Sequence, residues 1–112
     1  MSNFAPKRTQ YGTGDRRWAR NFLALDTHDV SIDTSSLEAG RVYPSGTHIG
    51  EDKLPRAAEA PSVGLLVNDL RVDGGVHLVA VASGGGPVDR RYLPEGHDEA
   101  AEASLTAINF IN

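Results

Sequence analysis

The sequence contains no cysteine, which excludes disulfide bridges, thiolate zinc sites and cysteine nucleophiles. Only seven of its 112 residues are aromatic. No apolar run approaches the roughly 18 residues that a membrane-spanning helix requires, so we expect no contact with a membrane. The chain is also short, which predicts one domain with a modest core. Hydrophobic residues still make up 39% of the chain, a share that favours a folded protein over a disordered one.

Charge is distributed unevenly along the chain. Residues 1–20 carry five basic side chains and one acidic one, whereas residues 21–112 carry six basic and 14 acidic ones. Four of the seven aromatic residues also lie within the first 22 positions. A solvated tail is expected to lack aromatics, and arginine and aromatic side chains dominate protein interfaces. We therefore predict that residues 1–29 form an extended N-terminal arm that docks on a partner; a disordered terminus is the alternative.

Residues 30–112 are predicted to form one compact domain of the α+β class, β-rich, with short strands and one short C-terminal helix. The apolar runs at 63–67 and 76–82 are typical of strands. Both faces of the second run are largely apolar, so both should be covered. The turn signal at 73–75 lies between apolar, β-prone segments and predicts a hairpin.

The last third of the chain carries a glycine run, a helix signal and a final apolar segment. The glycines at 84–86 predict a flexible turn that ends the strand before them. Asp98 is a suitable N-cap for a short helix over residues 98–106, because alanines and acidic residues follow it. Residues 107–111 predict a closing strand.

Motifs for catalysis, metal binding or cofactor binding are missing from the sequence. The four histidines, His28, His48, His77 and His97, are never three or four residues apart, so no local pair of metal ligands exists. The glycine run lacks the lysine of a phosphate-binding loop, and no serine stands in a nucleophile elbow. Nucleic-acid binding would depend on the basic arm alone, while the acidic remainder would repel a polyanion. We expect no enzyme activity, no cofactor, no metal and no direct nucleic-acid contact.

From about residue 37 to the end, the order and spacing of several segments resemble the head decoration, or capsid cement, proteins of tailed bacteriophages of the lambda-like type. The segments that carry this resemblance are Gly40-Arg41-Val42, Gly46-Thr47, the strand at 63–69, the turn at 73–75, the strand at 76–82, the glycine stretch at 83–86, Val88-Asp89, Leu93-Pro94, the alanine-rich helix and the ending at 105–111.

The resemblance implies a structural protein rather than an enzyme. Proteins of that family bind as homotrimers on the outer surface of the expanded capsid, with the major capsid protein as partner. They stabilise the shell against the pressure of packaged DNA. The implied location is the virion surface, and the host cytoplasm during assembly.

The resemblance implies that an N-terminal arm contacts the capsid. The uneven charge and the clustered aromatics lead us to expect that arginines of this arm pair with acidic groups and that its aromatic side chains fill apolar grooves. The predicted arm contacts are Phe4, Lys7, Arg8, Tyr11, Arg16, Arg17, Trp18, Arg20 and Phe22. The predicted trimer contacts are Pro44, Val88, Tyr92 and Pro94. The alternative function is a small β-rich carbohydrate- or receptor-binding module, which exposed aromatics on the domain would favour.

Overall fold

A computed structural model describes residues 14–112 of the chain. Seven strands and one α-helix lie within these residues: β1 Leu25–Asp33, β2 Val42–Tyr43, β3 His48–Gly50, β4 Ser62–Leu66, β5 Leu70–Arg71, β6 Val76–Asp89, α1 Glu99–Ser104 and β7 Ile108–Ile111. Short 3-10 turns occur at Phe22–Ala24, Thr34–Ser36 and Arg90–Tyr92. None of the helices in this part of the chain is long and apolar enough to cross a bilayer.

Strand β6, with 14 residues, pairs with three other strands of the main sheet. The antiparallel order is β1-β6-β4-β3, and β7 adds to β6 in parallel. Strands β2 and β5 form a separate antiparallel pair. The predicted small β-rich domain is confirmed as a mostly antiparallel sheet with one short helix.

The main sheet is covered by apolar clusters on its two faces. Adjacent residues of a strand point to opposite faces, and Leu65 and Leu66 of β4 belong to different clusters. The first cluster contains Trp18, Leu25, Leu65, Val67, Ala82, Val88, Leu105 and Ile108. The second contains Ile32, Tyr43, Ile49, Leu66, Leu70, Val72 and Val81.

The boundary predicted between residues 29 and 30 is wrong, because it falls inside β1. Leu25 at the start of that strand is buried, and Trp18 before it has no exposed surface. The backbone N–H of Asp89 donates to the Trp18 carbonyl oxygen at 2.7 Å, which ties the segment to the end of β6. Residues 18–29 therefore belong to the folded domain.

The glycine run was predicted to end a strand, and this prediction was wrong. Residues 84–86 lie within β6. Gly85 is paired with Leu25 of β1 on one side and with Ile108 of β7 on the other. Its backbone N–H donates to the Ala107 carbonyl oxygen at 2.9 Å. The run lies where three strands approach closely, and small residues permit that approach.

The hairpin prediction was wrong about the pairing. Strand β5, which precedes the turn at 73–75, pairs with β2 instead of β6. Residues 76–85 of β6 pair with β1, and β4 meets β6 at only two register positions. Val76 and Leu78 are 55% and 43% exposed, so the start of β6 is covered on one face only.

The helix prediction is confirmed, because the signal for it is local. Helix α1 begins after Asp98, whose carboxylate accepts the backbone N–H of Ala101 at 2.9 Å. The same carboxylate binds the guanidinium of Arg56 at 2.7 Å. Both interactions hold the pKa of Asp98 below its usual range, the Arg56 contact most strongly.

Candidate functional site

The nine predicted arm contacts divide into two groups. Phe4, Lys7, Arg8 and Tyr11 lie outside the described residues. The other five, Arg16, Arg17, Trp18, Arg20 and Phe22, lie in the segment that precedes β1. Their environments in the folded domain decide which of them can contact a partner.

Trp18 is a core residue, so its prediction as a partner contact was wrong. Its side chain is fully buried in the first apolar cluster. The indole N–H donates to Ser45 Oγ at 3.1 Å, and Ser45 Oγ in turn donates to the Val67 carbonyl oxygen. A large apolar ring with its single polar atom satisfied is a stable core component, and no part of it remains available to a partner.

Arg17 and Arg20 beside Trp18 are exposed, Arg16 is half-buried and bonded to Asn68, and several arginines of this region lie over aromatic rings. The Arg16 guanidinium lies 4.7 Å from the Phe22 ring centre, and that of Arg17 lies 4.6 Å from the Tyr92 ring centre. Arg91 approaches Tyr92 at 5.4 Å. These distances are within the range of cation–π attraction. We call the set Arg16, Arg17, Arg20, Phe22, Arg91 and Tyr92 the arginine–aromatic surface.

Arg91 enters this surface through a short sequence repeat. Residues 15–18 and 89–92 have the sequences DRRW and DRRY. In each copy the aspartate accepts both the backbone N–H and the guanidinium of the arginine two positions later, as in Arg17–Asp15 and Arg91–Asp89. The second copy was not recognised in the sequence analysis, although the repeated tetrapeptide is the signal that could have found it.

The buried side chain of Asp89 holds two of these arginines in position. Its side chain is fully buried, and it accepts hydrogen bonds from Arg91 at 2.8 Å and from Arg20 at 3.4 Å. The Arg91 contact holds the pKa of Asp89 well below its usual range. A fixed, ionised carboxylate therefore aligns Arg20 and Arg91, whose side chains remain 51% and 57% exposed.

The arginine–aromatic surface and its neighbours are cationic on a chain that is acidic overall. The chain has a net charge of −4. Around the surface, five arginines including Arg90 face three carboxylates, those of Asp15, Asp89 and Glu102. The contact with Arg17 lowers the pKa of Asp15 to about 2, so this balance holds throughout the neutral range.

Three of the four predicted trimer contacts lie at or near the surface. Pro44 is exposed, and Tyr92 and Pro94 are half-buried. A Cβ atom on Gly46 would lie 2.8 Å from Pro94 Cδ, which places the turn after Pro44 beside Pro94. The structure thus brings the predicted contacts Pro44 and Pro94 close together, next to the arginine–aromatic surface.

Val88 was wrongly predicted as a trimer contact. Its side chain is fully buried in the first apolar cluster. The backbone of β6 at this point is paired with Phe110 of β7 on one side and bridged to Ala19 on the other. Because its side chain has no exposed surface, Val88 cannot contact a second copy.

No two histidines are close in the sequence, but two of them are in contact in the folded domain. His48 and His97 are 49 residues apart, yet their ring nitrogens lie 2.8 Å from each other. Within residues 14–112, no group of three or more potential metal-binding side chains is arranged to hold an ion. The pair is joined to serine and carboxylate groups instead.

No known family model matches this chain, and no curated protein or solved structure matches it.

Proposed function

We propose that this chain decorates a tailed-bacteriophage capsid, as an α+β domain whose N-terminal arm, limited to the residues before Trp18, extends onto the shell. It acts as a homotrimer on the outer surface of the expanded capsid and bridges major capsid protein subunits against internal DNA pressure. The proposal assigns it no catalytic step, no cofactor, and no direct contact with nucleic acid or membrane. It rests on the sequence resemblance, and the arginine–aromatic surface supports it.

The chemistry of this surface suits an acidic protein partner. Its arginines are held by rings and carboxylates before any partner arrives, so little side-chain freedom remains to be lost on binding. A planar guanidinium can still form paired hydrogen bonds with a carboxylate from its exposed edge. Three copies of such a surface in one trimer would raise the overall affinity by about 10²–10⁴ over that of a single copy.

The aromatic residues of the domain do not favour the alternative carbohydrate-binding function. Tyr43 is buried and has Arg41 over its ring at 4.5 Å. Tyr92 has the guanidiniums of Arg17 and Arg91 near its ring, while Phe110 contacts His97 and Arg90. Each of these rings already packs against a cation or a second ring, which is the observation that favours capsid binding over carbohydrate binding.

We predict that Arg17→Glu weakens attachment to the capsid. Arg17 is 68% exposed and its partner Asp15 is 51% exposed, so the change strands no buried charge. We expect at least about a tenfold loss of apparent affinity, which corresponds to roughly 1.4 kcal/mol, because the reversal occurs once in every copy. Co-sedimentation with undecorated, expanded capsids of the phage that encodes the chain measures this affinity.

The matched control is Lys53→Glu, which makes the same charge change on the exposed connection between β3 and β4. It should bind like the unmodified protein, and both variants should lose affinity as salt increases. Equal binding by Arg17→Glu and the unmodified protein would remove this surface from the interface. Absence of any co-sedimentation by the unmodified protein would contradict the proposed function itself.

A further inference from the structure

A continuous chain of hydrogen bonds crosses the domain from β4 to α1. Ser62 Oγ lies 2.8 Å from His48 Nδ1, and His48 Nε2 lies 2.8 Å from His97 Nδ1. His97 Nε2 lies 2.9 Å from a Glu102 carboxylate oxygen. We call these four side chains, Ser62, His48, His97 and Glu102, the histidine relay. It joins the sheet edge to the loop and helix of residues 93–104.

With both imidazoles neutral, every bond of the relay can be made in one direction. The Ser62 hydroxyl donates to His48 Nδ1, His48 Nε2–H donates to His97 Nδ1, and His97 Nε2–H donates to Glu102. This requires an ionised carboxylate at the end. Arg90 supplies that condition, because its two hydrogen bonds, at 2.6 and 2.8 Å, lower the pKa of Glu102 to about 2.

One added proton reverses the direction without breaking a bond. When His97 becomes doubly protonated, its Nε2–H still donates to Glu102 and its Nδ1–H now donates to His48 Nε2. His48 must then carry its hydrogen on Nδ1 and donate to Ser62 Oγ. The Ser62 hydroxyl turns to the Gly64 carbonyl oxygen, which lies 3.3 Å away. Of the two rings, His97 is the one that contacts the carboxylate of Glu102.

A second proton, on His48, cannot be accommodated in this way. It would set an N–H of His48 against an N–H of His97, and the two charged rings are stacked with centres 5.1 Å apart. His48 is only 4% exposed, so its charge would also lack water. The groups that act on it are His97 and Asp98 from the loop, Glu102 from α1 and Arg56 from the β3–β4 connection.

We propose that the histidine relay is a proton-operated latch: the first proton reverses its hydrogen bonds, and the second releases residues 93–104 from the sheet edge. Helix α1 has only six residues, too few to remain helical without tertiary contacts. The Arg56–Asp98 ion pair and the hydrogen bond of Ser62 N–H to Ser104 Oγ hold the same segment. These two contacts remain after the second protonation and limit how far residues 93–104 move from the sheet edge.

The tautomer of His48 is the most direct readout of the reversal. We expect the imidazole ¹⁵N signals of the full chain, followed from pH 8 to pH 3.5, to show His48 moving its hydrogen from Nε2 to Nδ1 while His97 gains its proton. His28 is exposed and outside the relay, and serves as the internal control. In His97→Phe, which retains a ring but has no proton to gain, His48 should keep one tautomer until it becomes doubly protonated itself.

Stability should follow the second protonation. Burial, together with His97 and Arg56, lowers the pKa of His48 from 6.5 to about 4. The unfolded chain therefore takes up this proton at higher pH than the folded chain does. The stabilisation is complete above pH 6.5 and is lost as the pH falls towards 4. The urea midpoint should decline across this window, and the decline should flatten in His48→Gln.

Release of the segment is measured by hydrogen exchange. Amide protection at residues 99–105, corrected for intrinsic exchange, should fall by about tenfold for each pH unit between 6.5 and 4 and then level off, because only the open state takes up the His48 proton in this range. Protection in β1 and β6 should persist at the same pH. A His48 tautomer that stays fixed while His97 titrates would overturn the proposal. Protection of residues 99–105 that survives the charging of His48 would also overturn it.

Discussion

Replacing Trp18 with alanine should lower the free energy of unfolding by about 3–5 kcal/mol, the usual cost of removing a large aromatic side chain from a core. Trp18 is fully buried in the first apolar cluster, and its indole N–H is bonded to Ser45. Since small domains are stable by only about 5–15 kcal/mol, this loss would remove a large share of the total stability. Urea denaturation followed by circular dichroism measures it.

The same segment provides a control five residues later. Leu23 is 93% exposed, so Leu23→Ala should change the free energy of unfolding by no more than about 0.5 kcal/mol. If the two variants were equally stable, Trp18 would be a surface residue after all. The result also limits the truncations that can test docking: a deletion that extends past Trp18 removes a core residue, so the informative deletion ends at residue 13.

Gly85→Ala should destabilise the fold by about 2–5 kcal/mol, from two separate causes. Gly85 has a φ of +85°, a left-handed conformation that costs a non-glycine residue about 1–2 kcal/mol. A methyl group there would also overlap the carbonyl oxygen of Ala24 and lie 3.1 Å from the Leu25 Cα atom. Because backbone atoms cannot turn aside as side chains can, β1 or β6 would have to move.

Gly74 separates the two causes. It has the same φ of +85°, but a Cβ atom there would meet nothing within 4 Å. Gly74→Ala should therefore cost only about 1–2 kcal/mol, the backbone component alone. The difference between the two midpoints in thermal or urea unfolding measures the overlap at Gly85. Equal midpoints would show that the three strands do not approach as closely as described.

The sequence was sufficient to predict those secondary-structure elements that are determined by residues close to one another in the chain. Helix α1 was predicted because Asp98 caps a run of alanines, and each of those residues acts within one turn. The overall β-rich character followed from apolar alternation. The pairing of strands could not be predicted in the same way, because β6 pairs with β1, about 50 residues away, rather than with the strand nearest to it in sequence.

The errors arose where a residue's role depends on distant parts of the chain. Trp18 and the arginines beside it look alike in a charge and composition profile, and only the fold shows that the ring is in the core while the cations remain outside. Val88 was misjudged because the apolar cluster that buries it is assembled from distant segments, including Trp18 and Leu105. His48 and His97 form a pair that no spacing rule could find, since 49 residues separate them.

The parallel pairing of β7 with β6 has a consequence for synthesis of the protein. Ile108 of β7 is a member of the first apolar cluster, together with Trp18 from the opposite end of the described chain. A nascent chain from which β7 has not yet emerged lacks Ile108 in that cluster, so Trp18 is incompletely covered. Cooperative folding should therefore wait until Ile111 has left the ribosome, and shorter products should be recognised by chaperones and proteases as incompletely folded.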